Sequence, residues 1–234
     1  MVFEATSTPY KDVANENKDG INAVLAIKAE DLTVDEDGNP PAFAPPALRI
    51  PGEGKGGKAL VLYQTPSILS YLGEKLGLAG EDEIDKHWIL SHTLTALDLN
   101  NEAHDTHHPI ASAKYYEEQK DSALLKATDF RETRLPKFFG FFERVLKGNK
   151  NGEGKYLVGG KLSYADTTLF HVLNGLYFAF PKEMKVREKE YPTLFGTFYP
   201  SVKERKEIKE YLASDRRKPY SNGIFRHYEE LDRQ

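Results

Sequence analysis

Residues 62–72 read LYQTPSILSYL and join a strand-like run to a helix. The run Ala59-Leu60-Val61-Leu62-Tyr63 is short and apolar, as is typical of a strand. Thr65-Pro66 then opens a helix that we expect to continue to Leu76, since proline in a first turn lacks only an N–H that would have no helical partner. Gly77 suits the end of this helix. The stretch therefore predicts a strand followed directly by a helix.

The chain upstream of this stretch alternates short apolar runs with turn residues. Ala47-Leu48-Arg49-Ile50 predicts a second strand, and the glycine-rich residues 52–57 predict a hairpin loop between the two. Thr8 to Val13 is interpreted as a further short strand. Asn22 to Ala29 has the apolar spacing of a helix. Residues 1–78 are accordingly predicted to form a mixed α/β domain.

Residues 85–234 predict an all-helical domain, because the apolar positions recur with helical spacing through most of this region. One of the longer helices contains Pro136, where we expect an interruption. The predicted helices span Asp85 to His108, Tyr115 to Lys147, Ser163 to Phe180, Pro192 to Phe198 and Val202 to Leu212.

Composition excludes several classes of function. The chain has 234 residues, a net charge of -4 and no cysteine, so disulfides, thiolate zinc sites and cysteine nucleophiles are excluded. No broad basic face is evident, which argues against a nucleic-acid partner. No apolar run reaches the length of a membrane span. Residues Met1 to Ala5 do not resemble a secretory signal. We therefore expect a cytoplasmic protein without nucleic-acid or membrane partners.

Two stretches together resemble the cytosolic glutathione S-transferase family. The first is Pro45-Pro46-Ala47-Leu48 followed by residues 62–72. The second, residues 157–166 (LVGGKLSYAD), contains a Ser-x-x-Asp start in which Ser163 would cap a helix and Asp166 would bond back to it. The resemblance covers residues 8–213. The ending, through residues 223–228, is similar to a fungal and microbial branch.

The resemblance implies a thioredoxin-like N-terminal α/β domain, an all-α C-terminal domain and a glutathione site. Pro46 matches a cis proline, and the backbone of Pro45 would face the cysteinyl part of glutathione. Gln64 and Thr65 match the pair that holds the γ-glutamyl group at a helix N-terminus, where free N–H groups and the helix dipole favour a carboxylate. In dimeric members an aspartate reaches across the interface toward the glutathione amine. Asp98 matches it, with Asp105 as the alternative.

The resemblance does not extend to a catalytic residue. Members of the family begin with a strand, a loop and a helix, and the loop carries a tyrosine, serine or cysteine that stabilises the glutathione thiolate. Residues 2–10 match the end of that helix and the following strand, so we expect an N-terminal domain that is incomplete at its start. Ser7, Thr8 and Tyr10 match other positions of the family. The catalytic residue is therefore left unassigned.

Three histidines lie close together at the end of the first long helix. His104 and His108 are four residues apart and share a helix face, which is a spacing that can hold a metal. Histidines also suit the negative end of a helix dipole without any ligand. In the family this helix lines the electrophile pocket, so His104, His107 and His108 are candidates for that pocket. We expect no metal.

The sequence thus favours a homodimeric glutathione transferase of detoxification type, with glutathione as co-substrate and an electrophilic small molecule as acceptor. The alternative is a non-catalytic relative that serves as a ligand-binding or protein-assembly module. A third possibility, a metal-dependent enzyme that uses the histidines, remains open.

Overall fold

A computed structural model describes all 234 residues. The first part contains three short helices, two strands and one longer helix. Their bounds are α1 Val2–Ala5, α2 Val13–Glu16, α3 Gly20–Ala26, β1 Ala47–Ile50, β2 Leu60–Tyr63 and α4 Thr65–Lys75. β1 and β2 pair antiparallel, with Ala47 opposite Tyr63 and Ile50 opposite Leu60. The hairpin and the helix start predicted from residues 47–65 are confirmed.

The strand predicted from Thr8 to Val13 is wrong. Residues 8–12 form no ladder, and Val13 is the first residue of α2. The Asp12 side chain accepts a hydrogen bond from the Asn15 N–H at 3.3 Å, which is a helix N-cap. This capping carboxylate starts a helix where the sequence pattern indicated the end of a strand.

The outer edge of β2 is covered by a side chain rather than by a third strand. The amide of Asn39, a buried residue, donates to the Ala59 carbonyl at 3.1 Å and accepts from the Val61 N–H at 3.0 Å. These are the two backbone groups that a neighbouring strand would engage. No strand pairs with the equivalent edge of β1.

The second part is entirely helical. α8 packs more extensively against α5 than against any other element. It also contacts α4, where a Cβ on Gly73 would collide with the Tyr164 ring. The helices are α5 Glu83–Asp105, α6 Lys120–Asp129, α7 Leu135–Gly148, α8 Tyr164–Ala179, α9 Pro181–Arg187, α10 Tyr199–Lys203 and α11 Lys206–Leu212.

The start of α8 has the cap expected from its sequence. Asp166 Oδ2 accepts hydrogen bonds from the Ser163 N–H and hydroxyl, both at 2.7 Å, and Asp166 Oδ1 accepts from the Leu157 N–H at 2.8 Å. The same carboxylate therefore caps α8 and fixes the loop that leads into it. Both Ser163 and Asp166 are buried.

Two π-helical turns, Phe130–Arg134 and Leu194–Phe198, each precede a proline at the start of the next helix. In the first, the Leu135 N–H bonds to the Phe130 carbonyl, and Pro136 follows. A proline ring would clash with the carbonyl four residues earlier in a regular α-helix. The wider turn accommodates it, and the interruption expected at Pro136 takes this form. Pro200 follows the second turn in the same way.

Candidate functional site

The strand register brings together the two parts of the first family-like stretch, Pro45-Pro46 and the start of the α4 segment at Gln64. The peptide bond between Pro45 and Pro46 is cis and directly precedes β1, while Gln64 directly follows β2. Because Ala47 lies opposite Tyr63, these two segments end up side by side at one end of the hairpin. Pro45, Pro46 and Gln64 are all exposed, so a ligand can approach them from solvent.

The backbone of Gln64 adopts an unfavourable conformation, with φ of 69° and ψ of 117°. Its ψ lies outside the small left-handed region that side-chain-bearing residues occupy. Such conformations cost roughly 1–3 kcal/mol and concentrate at ligand-binding and active sites. The effect of this one is to place Gln64 immediately before the first residue of α4.

The N-terminus of α4 is open. The N–H groups of Thr65 and Ser67 have no acceptor in the protein, and Pro66 has no N–H to offer. The Gln64 amide and the two hydroxyls also make no hydrogen bond within the protein, and no side chain caps the helix. Unpaired N–H groups at the positive end of a helix dipole form a binding place for an anion such as a carboxylate.

A cleft of about 490 Å³ lies beside this helix start. Its lining includes Gln64, Ser67 and residues 37–40, and Lys55 contributes a cation. Pro45, Pro46 and Thr65 are not part of its lining. Sequence reasoning missed Lys55 and Ser67. Ser67 could have been found, since it lies three residues after Gln64 and therefore on the same face of the helix start.

Asp98 lies on a different surface of the chain. It is exposed, has no partner, and lines a groove of about 500 Å³ between α5 and α7. Asp105, the alternative, lines the same groove. The acidic side chains that line this groove come from α5, and the basic ones come from Arg134 and α7. Glu102 accepts two hydrogen bonds from Arg134, of 2.6 and 2.7 Å. The role of Asp98 across a dimer interface remains a prediction.

The three histidines form a cluster whose ring centroids are 4.8–5.0 Å apart. α5 ends at Asp105, and the turn that follows brings His107 beside the His104–His108 pair. His107 is buried, and its Nε2 lies 2.8 Å from the carbonyl oxygen of Ile224 in the C-terminal tail. Burial lowers the pKa of His107 to about 4 and also lowers the pKa of His108.

None of the three hydroxyl residues near the N-terminus lines either cavity. Tyr10 donates to Glu4 Oε1 at 2.7 Å, and the Thr8 and Thr6 hydroxyls are bonded to each other at 2.8 Å. Burial raises the pKa of Tyr10 above its ordinary range, and the hydrogen bond to the Glu4 carboxylate raises it further. A raised pKa works against a phenolate, so the geometry adds no support for Tyr10, Thr8 or Ser7 as a thiol activator.

No helix of the protein is both long enough and apolar enough to cross a lipid bilayer.

The relatives found by sequence comparison include proteins described as glutathione S-transferases. Residues 104–215 match the family described as "Glutathione S-transferase, C-terminal domain". The chain is 33% identical over 159 residues to glutathione S-transferase P 1 of Xenopus laevis, an alignment that covers 67% of this chain and 65% of the frog protein. It is 25% identical over 188 residues to the glutathione S-transferase of Plasmodium falciparum, covering 79% and 76% of the two chains.

Solved structures agree on the fold. The Pi-class glutathione S-transferase of Onchocerca volvulus is 25% identical, with a TM-score of 0.51 over 66% of each chain. Prostaglandin synthase D of Nilaparvata lugens is 19% identical, with a TM-score of 0.64 over 93% of this chain and 90% of its own. The chain thus has a thioredoxin-like α/β part followed by an all-α part, and its sequence is similar to those of glutathione S-transferases.

Proposed function

We propose that the protein binds glutathione at the start of α4 and transfers it to an electrophilic small molecule. The observation that carries this proposal is the strained backbone of Gln64 beside an uncapped helix N-terminus. The γ-glutamyl carboxylate of glutathione would accept from the N–H groups of Thr65 and Ser67 and from the Thr65 hydroxyl. The Gln64 amide would bond the same end of the tripeptide.

Pro45 would contact the middle of the bound tripeptide through fewer backbone hydrogen bonds than another residue could make. Antiparallel pairing with an extended ligand uses both the N–H and the C=O of one residue. Proline has no N–H, so Pro45 offers only its carbonyl oxygen. We therefore expect one backbone hydrogen bond at this position where most other residues would give two.

The rate would arise from positioning the thiol and from stabilising its thiolate. No residue is assigned to the second task. His104, at the end of α5, and His107 and His108, in the turn that follows, are proposed for the electrophile side, and a cytoplasmic role in detoxification follows from this activity. The tail through residues 223–228 favours a fungal or microbial type of transferase. No resident metal is needed for conjugation itself.

We further propose a homodimer in which the groove between α5 and α7 forms part of the interface. Trp88 and Leu94 on α5 are 56% and 45% exposed and would add apolar surface to such an interface. A two-fold axis would bring the acidic side of one groove against the basic side of its partner. Asp98 would then face the glutathione site of the other subunit.

The test measures conjugation of glutathione to 1-chloro-2,4-dinitrobenzene against an enzyme-free blank, together with glutathione binding by calorimetry. We expect binding and a rate above the blank, both lost in Gln64→Ala/Thr65→Ala. Ser91→Ala, an exposed change on α5, serves as the matched control. A folded protein that binds no glutathione would overturn the proposal.

The alternative function is a non-catalytic ligand-binding or assembly module. It is favoured by the state of Tyr10, whose hydroxyl donates to Glu4 and whose pKa is raised, which works against a role in stabilising a thiolate. Glutathione binding that requires Gln64 and Thr65, with a rate equal to the blank, would support this alternative over the transferase.

A further inference from the structure

The His104–His107–His108 cluster has a feature that side-chain packing does not explain. His107 is 1% exposed, and its Nδ1 has no hydrogen-bond partner. Its Nε2 lies 2.8 Å from the Ile224 carbonyl, which can only accept, so Nε2 carries the proton. The Nδ1 of the neutral ring is consequently a lone pair, buried and unused. A buried polar atom without a partner calls for an explanation.

The other two histidines lie close to His107. One ring nitrogen from each of the three residues lies within 4.8 Å of the other two. His104 Nδ1 lies 3.3 Å from Asp105 Oδ1, and a carboxylate behind the ring is the kind of contact that orients histidines that bind metals. The Gln119 amide nitrogen donates to His108 Nδ1 at 3.2 Å, so this ring carries its proton on Nε2 and must adopt the other tautomer to bind a metal through Nε2.

The spacing is somewhat wider than a bound ion requires. Zinc binds imidazole nitrogen at about 2.0–2.1 Å, so two ligands of a tetrahedral site are about 3.3 Å apart. The nitrogens must close by up to about 1.5 Å, which small rotations of His104 and His108 can supply. The His104 side chain is 25% exposed, whereas His107 is fixed by its bond to Ile224.

The surroundings are close to neutral in charge. Asp105 lies beside His104, and Arg226 lies close enough to act on His107 and His108. The chain has no cysteine, so the ligands are all nitrogen. Imidazole ligands suit Zn²⁺, Cu²⁺ and Ni²⁺, and three protein ligands leave a fourth position for water or substrate.

We propose that His104, His107 and His108 form a three-histidine site for a divalent transition-metal ion, best served by Zn²⁺. This revises the expectation of no metal, which rested on the preference of histidines for the negative end of a helix dipole. The ion joins the end of α5 to the tail, because the His107 ring that binds it also holds the Ile224 carbonyl. Metal binding therefore stabilises this junction in the folded state.

The experiment uses untagged full-length protein that is stripped with chelator and then dialysed against Zn²⁺ alone. We expect one bound zinc per chain, a raised thermal midpoint, and a Co²⁺ derivative with the intense visible absorption of a tetrahedral site. His104→Gln and His108→Gln should each weaken zinc binding at least about tenfold. Both residues are partly exposed, so the variants should fold, and far-ultraviolet circular dichroism verifies this.

The matched control is His87→Gln, which removes an exposed histidine near the start of the same helix. It should leave zinc stoichiometry and the thermal midpoint shift unchanged. The proposal is overturned if the stripped protein takes up no zinc, or if the His104→Gln/His108→Gln protein binds it as tightly as the unmodified chain does. Neither measurement depends on transferase activity, so the metal-site proposal is tested independently of the proposed function.

Discussion

Two substitutions of Gln64 separate its backbone role from its side-chain role. Gln64→Ala removes the amide and retains a residue that is strained at φ of 69° and ψ of 117°. Gln64→Gly removes the same amide, and glycine adopts positive φ without steric conflict. Any difference between the two variants therefore reports the backbone alone.

The expected stability difference follows from two opposing terms. Strain at such a residue costs roughly 1–3 kcal/mol. Glycine relieves this strain, but it loses more chain entropy on folding than alanine does, which costs about 0.5–1 kcal/mol of stability. The glycine variant should be more stable than the alanine variant by about 1 kcal/mol, which corresponds to a thermal midpoint about 3 °C higher for a chain of this size.

The order of glutathione affinity should be the reverse. Both variants lose a hydrogen bond to a charged ligand, worth about 1.5–3 kcal/mol or about ten- to a hundredfold in affinity. Alanine keeps the start of α4 in its binding geometry, whereas glycine frees it, so alanine should bind glutathione more tightly than glycine. Calorimetry and thermal denaturation on the same preparations give both orders. A glycine variant no more stable than the alanine variant would refute the strain argument, and unchanged affinity in both would refute the contact.

Four further substitutions test separate parts of the structure. Pro45→Ala supplies an N–H beside bound glutathione and should tighten binding about 2- to 10-fold by calorimetry, since a net hydrogen bond is worth about 0.5–1.5 kcal/mol; unchanged affinity would remove Pro45 from the site. Gly175→Ala places a methyl group in collision with the Phe225 ring, so it should cost about 1–3 kcal/mol and expose the tail to protease, whereas an unchanged digestion pattern would contradict this contact. Asp166→Asn puts an amide donor against the Ser163 N–H or the Leu157 N–H and should cost about 2–3 kcal/mol in urea denaturation, well beyond the about 1 kcal/mol expected for Ser163→Ala. Burial lowers the pKa of His171 to about 4, below its unfolded value of about 6.5, so the unfolded state binds the extra proton between these values and stability falls as the pH drops through that window. Thermal midpoints of His171→Gln should depend less steeply on pH there, and an equal slope would show that another group is responsible.

The elements predicted correctly are those with a local chemical signal. Thr65-Pro66 marks the start of α4, and Ser163 with Asp166 marks the start of α8. The glycine-rich residues 52–57 mark the turn between β1 and β2. Each signal acts within a few residues, so it is legible without the rest of the fold.

The elements missed depend on contacts from distant parts of the chain. α9, Pro181–Arg187, was not predicted, and Asp232 from the tail accepts from its Lys182 and Glu183 N–H groups at 2.8 and 3.0 Å. The residues 8–12 had a strand-like composition but no neighbouring strand to pair with. Long-range partners decide such segments, and a single sequence does not display them.

The candidate site divides in the same way. Gln64 and Thr65 were identified from the resemblance of residues 62–72 to the glutathione S-transferase family, and the register of β1 and β2 brings the segment that contains Pro46 beside them. The strain at Gln64 and the lone pair of His107 were not visible, because both arise from the folded backbone. The second depends on Ile224, which is 117 residues away in sequence.

The π turns before Pro136 and Pro200 set the rotational phase of the helices that follow them. Each turn takes in one residue more than a regular turn, and one residue rotates a helix by about 100°. Without the turn at Phe130–Arg134, the side chains of Phe138, Phe139 and Phe142, which are all buried, would point about 100° away from the core. A deletion of one residue within this turn would therefore turn the aromatic face of α7 toward solvent, although every residue of α7 itself would be unchanged.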